Sequence, residues 1–345
     1  MSKELEALRS LPLFSGIDDA SFEGVDLLWE IREINAKEPI WLQGELATEM
    51  AFLLEGELSV QINKQHLATI KPFELVGELA CFTRDIRSAS IIVPESAILL
   101  VIFIDNFETM KETHSVLYDC ILEQSLRRLA VRIQTMNREI VRKSNYKGTE
   151  SAPARKEETF LGGLWNRIVN PKAGRPPSAI DIIRRLPKIK KAHPVDVKTI
   201  IDSMEPKYFQ KGEPIVLEGE VGQSCFLLVE GCIDVLRNVG SSKSILLATL
   251  NPGALLGTGA MILKERRNAS CVANRNTNVW IYEMTTEALN GLQGDAGRIW
   301  RESLLYSLAF QLRSADDMLV KLEQGARPQL SDYDQVRKLL SGYQA

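Results

Sequence analysis

The sequence predicts a mainly β protein with flanking helices, built from two copies of one domain. Two observations predict this class: an internal repeat, and two series of short apolar runs that are each followed by a helical pattern. A chain of 345 residues is long enough for two ordinary domains that each bury a core of their own.

The internal repeat defines the organisation of the chain. EPIWLQGE (38–45) recurs as EPIVLEGE (213–220) at an offset of 175, with six of eight positions identical. A second pair, GELACFTRDIRSAS (77–90) and GTGAMILKERRNAS (257–270), is related by an offset of 180. The second copy must therefore hold five more residues between the two pairs, and NVGSSK (238–243) predicts a longer hairpin turn there.

Within each copy, short runs rich in Val, Ile and Leu are separated by Gly, Pro and Asn. Such runs predict β-strands, and several of them with turn residues between predict a sandwich or a small barrel. The first copy contains the predicted strands IWLQGE, AFLLEGELSVQI, LATI, SASIIV and AILLVIF. The second copy contains IVLEGE, CFLLVEGCIDVL, ILLATL, ASCVAN and VWIYEM.

A long helical pattern follows each set of strands, with apolar residues at alternating intervals of three and four. In the first copy these positions are Leu122, Leu126, Leu129, Ile133, Met136 and Ile140. In the second they are Leu304, Leu308, Gln311, Ala315, Met318 and Leu322, one of them polar. The spacing fits packing of each helix on its own domain. It fits equally a pairing of helices, either in a homodimer or between the two copies.

These patterns divide the chain into four parts. We expect a first domain with its C-terminal helix at 1–142, a linker at 143–180, a second such domain at 181–325 and a tail at 326–345. The linker is rich in Pro, Gly, Ser and charge, which predicts flexibility.

The linker region is basic in a chain that is acidic overall. From Arg142 to Lys191 there are 13 Lys or Arg against 4 Asp or Glu. Within it, TFLGGLWNRIVN (159–170) places its apolar residues on one face of a predicted helix. This short amphipathic segment fits packing on the protein's own domains, and it also fits docking on a partner or an anionic surface.

The composition excludes several classes of protein. The residues are 45% hydrophobic and 25% charged, as in soluble globular proteins. The formal net charge of −3 gives no reason to expect a protein built mainly for nucleic acid. No apolar run reaches the roughly 18 residues of a membrane span.

The cysteines and histidines argue against a metal site. Five cysteines lack a CxxC pair, and the three histidines are dispersed along the sequence. We therefore expect no metal, no catalytic relay based on histidine and no enzymatic activity. The odd set of cysteines fits reduced core residues in a cytoplasmic protein.

The stretch from Gly77 to Ser90 contains residues suited to a charged ligand. Gly77, Glu78, Leu79 and Ala80 predict a short turn of helix whose free N–H groups can bind an anion. Arg87 can bind that anion with two parallel hydrogen bonds, and small Ala89 leaves space for it. Glu78 would repel an anion but can accept hydrogen bonds from a hydroxyl next to it. An anion close to a hydroxyl describes a cyclic sugar phosphate.

This arrangement, Gly-Glu-Leu-Ala, seven residues and then Arg-x-Ala-Ser, resembles the phosphate-binding cassette of cyclic nucleotide-binding domains. That family includes the bacterial catabolite activator protein and the regulatory subunits of cAMP-dependent protein kinase. The resemblance covers roughly 11–142 and 186–325. It implies that each copy is a jelly-roll barrel, also called a double-stranded β-helix, followed by a long helix.

The resemblance also implies roles for individual residues. Glu78 would bind the ribose 2′-hydroxyl, and Arg87 would bind the cyclic phosphate together with the amides of Leu79 and Ala80. Ser88 would contact the phosphate or the purine. By analogy with the activator, Thr135 or Asn137 of the following helix would contact the base.

The second copy departs from this pattern. It keeps Gly257, Ala260 and Arg267, but Thr258 replaces the glutamate, Gly259 replaces the leucine, and Asn268 follows the arginine. A neutral hydroxyl loses a charge-assisted hydrogen bond of about 1.5–3 kcal/mol. The glycines could instead enlarge a nest of amides for a different anion. The second site is therefore weaker, altered in ligand or vacant.

RRNAS (266–270) also fits a basophilic kinase site, although its position in the cassette favours a role in ligand binding.

The sequence favours a non-enzymatic second-messenger receptor that binds cAMP or cGMP and regulates a separate protein through its helix. One alternative is a ligand-free tandem scaffold or adaptor. Another is an inhibitor like a kinase regulatory subunit, although residues 1–10 contain no inhibitor segment. About twenty residues follow the second helix, too few for a helix-turn-helix domain, so we expect no direct DNA binding. A cupin-like metalloenzyme would need clustered histidines. The residues do not distinguish cAMP from cGMP.

Overall fold

The computed structural model describes residues 2–143, 174–237 and 245–323. It divides into two compact units, Met1–Ser125 and Leu126–Ala345. This division falls within a long helix, upstream of the predicted domain boundary after residue 142, and the four predicted parts stay predictions.

The first unit begins with helix α1 (Lys3–Ser10), which Ser2 caps by accepting a hydrogen bond from the N–H of Leu5. Three turns of 3-10 helix follow at Pro12–Phe14, Asp19–Phe22 and Val25–Leu28. The strands are β1 (Trp29–Ile34), β2 (Pro39–Trp41), β3 (Glu49–Glu55), β4 (Leu58–Ile62), β5 (Gln65–Ile70), β6 (Leu75–Val76), β7 (Ser90–Ile92) and β8 (Ala97–Phe103). The helices are α2 (Glu78–Thr83), α3 (Ile104–Thr113) and α4 (Ser115–Lys143), the last of which continues into the second unit.

The strands of the first unit form two four-stranded antiparallel sheets, in the orders β1-β8-β3-β6 and β2-β7-β4-β5. This is the strand order of an eight-stranded jelly roll. The core of this unit contains Trp41, Ala51, Leu53, Leu58, Ile70, Val76, Ile91, Val93, Ala97, Leu99 and Val101.

Strand β8 and the interior of β3 (residues 50–54) are apolar runs because both of their faces are buried. Ala51 and Leu53 of β3 belong to the core cluster and pair with residues of β8 that belong to it as well. On the opposite face, Phe52 is fully buried, and its ring lies 6.1 Å from that of Phe14 in the N-terminal segment.

The second unit repeats this architecture with helices α5 (Ile180–Ile183) and α6 (Pro194–Asp202) before its strands. The strands are β9 (Glu205–Phe209), β10 (Pro214–Val216), β11 (Ser224–Glu230), β12 (Ile233–Arg237), β13 (Ile245–Leu250), β14 (Leu255–Leu256), β15 (Ser270–Ala273) and β16 (Val279–Thr285). The remaining helices are α7 (Thr258–Leu263), α8 (Thr286–Gly291) and α9 (Gly294–Glu323).

The sheet orders of the second unit, β9-β16-β11-β14 and β10-β15-β12-β13, equal those of the first with each strand number raised by eight. Its core contains Phe209, Ile215, Val216, Phe226, Leu228, Ile233, Leu256, Cys271, Ala273, Val279 and Ile281. The predicted fold class, two mainly β jelly rolls with a long helix after each, is therefore confirmed.

The structure also locates the five additional residues of the second copy. Two residues (63–64) connect β4 to β5, whereas seven (238–244) connect β12 to β13. The insertion lies where the sequence predicted a longer turn, and the turn itself lies outside the described residues. The sequence did not predict β1 and β9, because charged residues and a proline interrupt their apolar pattern.

The long helices bury most of the predicted apolar stripe. In α4, Leu122, Leu126, Leu129, Ile133 and Ile140 are buried, and the part from Leu126 onward belongs to the second unit. In α9, the predicted position Gln311 is exposed, and the next residue, Leu312, is buried instead at 2% exposure. Helix α9 packs against α6. Homodimer formation through these helices stays a prediction.

Across the described ranges, no helix combines the length and apolar character that crossing a membrane requires. The same part of the chain contains no group of three His, Cys, Asp or Glu side chains placed to hold a metal ion. All five cysteines are free thiols, and Cys81, Cys225 and Cys271 are buried. The predicted amphipathic segment (159–170) and the tail (326–345) lie outside the described residues.

Candidate functional site

Helix α2 begins after a glycine whose conformation and position exclude a side chain. Gly77 caps the helix with φ of 82°, in the left-handed region. A Cβ atom there would lie 2.7 Å from Nη1 of Arg87 and 2.7 Å from the Trp41 ring. The glycine therefore allows the start of α2 to lie directly against the arginine.

The backbone of Arg87 is fixed on both sides by the β2–β3 connection. Its N–H donates to the carbonyl of Glu45 at 2.7 Å, and its carbonyl accepts from the N–H of Gly44 at 2.9 Å. This pairing joins the end of the cassette to the turn formed by the last residues of EPIWLQGE. The two repeated motifs of the sequence therefore meet at the arginine.

The side chain of Arg87 is 3% exposed and lies between α2 and β3. Nη1 donates to the carbonyl of Gly77 at 3.1 Å, and Nη2 donates to the carbonyl of Glu49 at 2.5 Å. Its Nε is buried and has no hydrogen-bond partner within the described part of the chain. Burial lowers the pKa of Arg87, because the charged form loses hydration. The guanidinium stays charged at neutral pH.

Trp41 forms one wall of this site, and the sequence did not predict it. The guanidinium carbon of Arg87 lies 3.9 Å from the centroid of the Trp41 ring, within the range of a cation–π contact. Trp41 is one of the two positions that differ between EPIWLQGE and EPIVLEGE, where the second copy has Val216. That difference is the feature of the sequence that indicates different residues beside the two arginines.

The other predicted residues of the first cassette differ in their burial. Ala80 and Ala89 are buried, Glu78 and Leu79 are half-buried, and Ser88 is exposed. Glu78 is the first residue of α2, next to Gly77. Within the described residues its side chain has no hydrogen bond or ion pair.

The second cassette has the same geometry. Gly257 caps α7 with φ of 79°, and Arg267 is buried at 6% exposure. Arg267 donates from Nη1 to the carbonyl of Gly257 at 2.8 Å and from Nη2 to the carbonyl of Ser224 at 2.7 Å. Its Nε also lacks a partner within the described ranges, and burial lowers its pKa.

The two cassettes differ next to the arginine. Thr258, at the position of Glu78, is 1% exposed, and its Oγ1 has no hydrogen-bond partner among the described residues. No atom lies within 4 Å of a Cβ placed on Gly259. In place of a tryptophan contact, the Phe226 ring lies 5.6 Å from the guanidinium of Arg267. Asn268 is exposed and Ala260 is half-buried.

An aromatic cluster connects the first cassette to the helices behind it. The Phe82 ring of α2 lies 5.1 Å from Phe107 of α3 and 5.9 Å from Tyr118 of α4, both edge-on. Phe107 and Tyr118 stack at 4.7 Å. A displacement of α2 would therefore disturb the packing of both helices.

The structure places the two predicted base-contacting residues in the second unit. Thr135 is exposed, and its hydroxyl donates to the carbonyl of Val131 at 3.1 Å. Asn137 lines a cavity together with Asn268, the residue that follows Arg267. The contact of either residue with a nucleotide in the first unit stays a prediction.

Comparison with known families gives the class of these domains. The sequence model of the cyclic nucleotide-binding domain matches residues 31–114 and 206–293. These ranges lie in the first and second units, and each contains a cassette with its arginine. The chain therefore contains two domains of the cyclic nucleotide-binding family, as the sequence motifs predicted.

Two curated relatives illustrate how far the similarity extends. The chain is 25% identical to cGMP-dependent protein kinase 2 of Mus musculus over 238 residues, which is 68% of this chain and 23% of the kinase. It is 28% identical over 86 residues to the Cyclic AMP receptor protein of Thermus thermophilus, covering 25% of this chain and 40% of that protein. The chain thus spans well under half of the length of either relative.

Solved structures of this fold are similar as well. The regulatory domain of Toxoplasma gondii PKA, crystallised with cAMP, has 15% identity and a TM-score of 0.30, with 86% of this chain and 93% of that chain covered. The Thermus thermophilus catabolite activator protein has 20% identity and a TM-score of 0.29, with 37% and 71% covered.

Proposed function

We propose that this protein is a non-enzymatic second-messenger receptor that binds cAMP or cGMP in its first domain and regulates a separate partner protein. The observation that carries the proposal is the buried guanidinium of Arg87 at the start of α2, with an Nε that lacks a partner among the described residues. A buried charged donor without a partner is costly unless a ligand supplies the missing acceptor.

The hydrogen bonds of Arg87 leave it able to bind a phosphate. A guanidinium has five N–H donors, and the two bonds to Gly77 and Glu49 use one on each terminal nitrogen. These bonds fix the orientation of the side chain, and Nε, which lacks a partner among the described residues, is left to donate to a phosphate. The small residues Ala80 and Ala89 lie in the same cassette and leave room for the anion, and the first-turn N–H groups of α2 would supply further donors.

Glu78 is the residue we assign to the ribose. A carboxylate at the first position of α2 would accept a hydrogen bond from the 2′-hydroxyl next to a cyclic phosphate. The names of the two relatives, a cGMP-dependent kinase and a cyclic AMP receptor, support a cyclic nucleotide and leave the base open. Ser88 is exposed and fits a contact with the phosphate or the purine.

The proposed signal passes from α2 to the helices through the aromatic cluster. Capture of the phosphate would displace α2, and Phe82 would carry that displacement to Phe107 and Tyr118. The ligand shifts the position of α3 and α4 by its difference in affinity between the two arrangements. A partner that contacts these helices would respond to that shift. Its identity and a cytoplasmic location stay predictions.

We propose that the second domain binds a cyclic nucleotide weakly or not at all. Thr258 is buried and uncharged, so it offers the ribose no counterpart to the carboxylate of Glu78.

Calorimetry with cAMP and cGMP on two matched variants tests this proposal. Arg87→Ala and Arg267→Ala each remove a buried arginine that donates two hydrogen bonds to backbone carbonyls, so their structural costs are similar. We expect binding in the micromolar range that Arg87→Ala abolishes and Arg267→Ala retains. Circular dichroism would show that both variants fold.

Other outcomes would replace the proposal. Binding lost in Arg267→Ala and kept in Arg87→Ala would reverse the roles of the domains. If the wild type bound neither nucleotide, the alternative of a tandem scaffold or adaptor would be supported instead. A pull-down with the intact chain, with and without nucleotide, would identify the partner, and capture of a kinase catalytic subunit would support the inhibitor alternative.

A further inference from the structure

The second unit contains a cavity of about 470 Å³ that the proposed function does not use. It lies between the C-terminal part of α4, the loop after α7 and the end of β12. Its volume is within the range of small-molecule sites, about 300–1,000 Å³. Arg267 does not line it and is directed toward the carbonyls of Gly257 and Ser224.

The cavity is lined by four cationic side chains and one carboxylate. The cations are Arg138, Arg237, Lys264 and Arg266, and the carboxylate is Glu265. Two of the cations have acidic neighbours: Arg138 lies 4.0 Å from Glu265, and Arg237 lies 3.5 Å from Glu218. Within the described residues, Lys264 and Arg266 have no ion pair, although Arg266 donates to the carbonyl of Gly219 at 2.7 Å. The lining therefore has an excess of positive charge.

The first unit has no such excess of positive charge at the corresponding positions. Lys264-Glu265-Arg266 corresponds, at the offset of 180, to Arg84-Asp85-Ile86, and Arg237 corresponds to Ile62 at the offset of 175. Arg84 already forms an ion pair with Glu108 at 2.9 Å. The excess charge is thus a feature of the second copy rather than of the repeated fold.

We propose that this cavity binds a small molecule that carries two or more phosphate groups. Several cations around one cavity suit a multiply charged anion, because each phosphate can form charge-assisted hydrogen bonds with arginine or lysine. Asn137 of α4 lines the same cavity and adds a neutral amide donor. Within the second unit, the bound anion would join the C-terminal part of α4 to the loop after α7. The proposal is independent of nucleotide binding in the first domain.

Calorimetry with inorganic triphosphate in the absence of magnesium tests the proposal on the full chain. We expect saturable binding to one site that weakens as salt is raised. Lys264→Gln removes a charge without removing an ion pair, and we expect it to weaken binding by roughly five- to tenfold. Arg275→Gln removes an exposed charge of the same unit outside the cavity, and we expect unchanged affinity. Equal effects of the two variants would overturn the proposal.

A second pair of variants tests whether α4 forms part of the site. Asn137→Asp places a carboxylate in the cavity, whereas Thr135→Asp places one on an exposed position two residues away on the same helix. We expect Asn137→Asp to abolish triphosphate binding and Thr135→Asp to reduce it less than twofold, since exposed charges are screened. Binding retained in Asn137→Asp would contradict the assignment.

Competition experiments distinguish the sources of the phosphates and separate this site from a cyclic nucleotide site. ATP that displaces triphosphate with higher affinity would identify a nucleoside polyphosphate as the ligand. Weaker binding of ATP would identify a non-nucleotide polyphosphate. Displacement of triphosphate by cAMP or cGMP would show that the cavity belongs to a cyclic nucleotide site of the second domain and would overturn the proposal.

Discussion

The guanidinium of Arg87 lies 3.9 Å from the centroid of the Trp41 ring, and this contact distinguishes the first cassette from the second. In the second, the nearest ring to Arg267 is that of Phe226, at 5.6 Å, and valine occupies the position of the tryptophan. The two arginines otherwise make equivalent backbone contacts. The aromatic side chain beside the arginine therefore differs between the copies, whereas the backbone contacts of the arginine do not.

The contact predicts a fluorescence signal for nucleotide binding. A phosphate at Arg87 would change the electrostatic environment of the adjacent indole, so we expect cAMP or cGMP to change the tryptophan emission of the wild type. Trp41→Phe should remove most of this change while calorimetry still detects binding. Trp280→Phe, in the second unit, serves as the control and should retain the response. A response kept in Trp41→Phe and lost in Trp280→Phe would place the ligand elsewhere.

Gly77→Ala should destabilise the protein and prevent nucleotide binding. An alanine at φ of 82° is strained by about 1–3 kcal/mol. Its Cβ would also lie 2.7 Å from Nη1 of Arg87, so the arginine must move. Gly44→Ala is the matched control, because φ is 89° there and no atom lies within 4 Å of the added carbon. Urea denaturation should show a loss of stability from strain in both variants and a further loss from the close contact in Gly77→Ala. Calorimetry should show binding lost in Gly77→Ala alone.

Phe82→Leu should separate binding from its effect on the helices. Leucine keeps the position buried but loses two edge-on ring contacts, each about 0.5–1.5 kcal/mol. We expect affinity for the nucleotide within about threefold of the wild type, since Phe82 does not contact Arg87 directly. Hydrogen exchange in α3 and in residues 115–125 should change on nucleotide binding in the wild type and not in the variant. An unchanged response in Phe82→Leu would exclude this route.

The buried thiols should resist modification and lower the stability of the protein at high pH. Burial raises the pKa of Cys81, Cys225 and Cys271 to about 12, because the thiolate loses hydration. In the unfolded chain these thiols ionise near pH 8.5. The unfolded state therefore loses protons first, and the free energy of unfolding falls as pH rises from about 8.5 toward 12.

Thiol labelling and denaturation at several pH values check this prediction. At pH 8, a disulfide reagent should react first with the half-exposed Cys232 and Cys120 and reach the three buried thiols after unfolding. Replacing all three buried cysteines by alanine should flatten the loss of stability above pH 8.5. Rapid labelling of Cys81 in the native protein would contradict the burial on which the prediction depends.

The sequence predicted most of the repeated elements but missed β1 and β9, whose apolar pattern is interrupted in both copies. The apolar runs predicted five strand segments in each copy, the first cassette predicted the short helix α2, and the repeat predicted the location of the five additional residues. Arg87 and Arg267 could be identified because a charged residue recurs at the same place within an apolar domain. The contact of Trp41 with Arg87 could not be predicted, because a core position does not show which side chain lies beside it.

The sequence also could not predict where the C-terminal part of α4 packs. Its apolar stripe fits burial against any surface, so the spacing alone could not place residues 126–143 in the second unit. The structure places Asn137 in the second unit, where it lines a cavity together with Asn268, and its contact with a nucleotide of the first domain stays a prediction. The shift from Gln311 to Leu312 in α9 has a similar cause, because a strict alternation of three and four departs from the period of a straight helix.

A crystal structure of the full chain with saturating cAMP or cGMP tests the central claim most directly. We expect the cyclic phosphate in the first domain, with its oxygens about 2.7–3.1 Å from Arg87 and the amide of Ala80, and the 2′-hydroxyl on Glu78. A structure in which no nucleotide occupies the first domain, and Trp41 and Arg87 fill the space at Gly77, would contradict the claim.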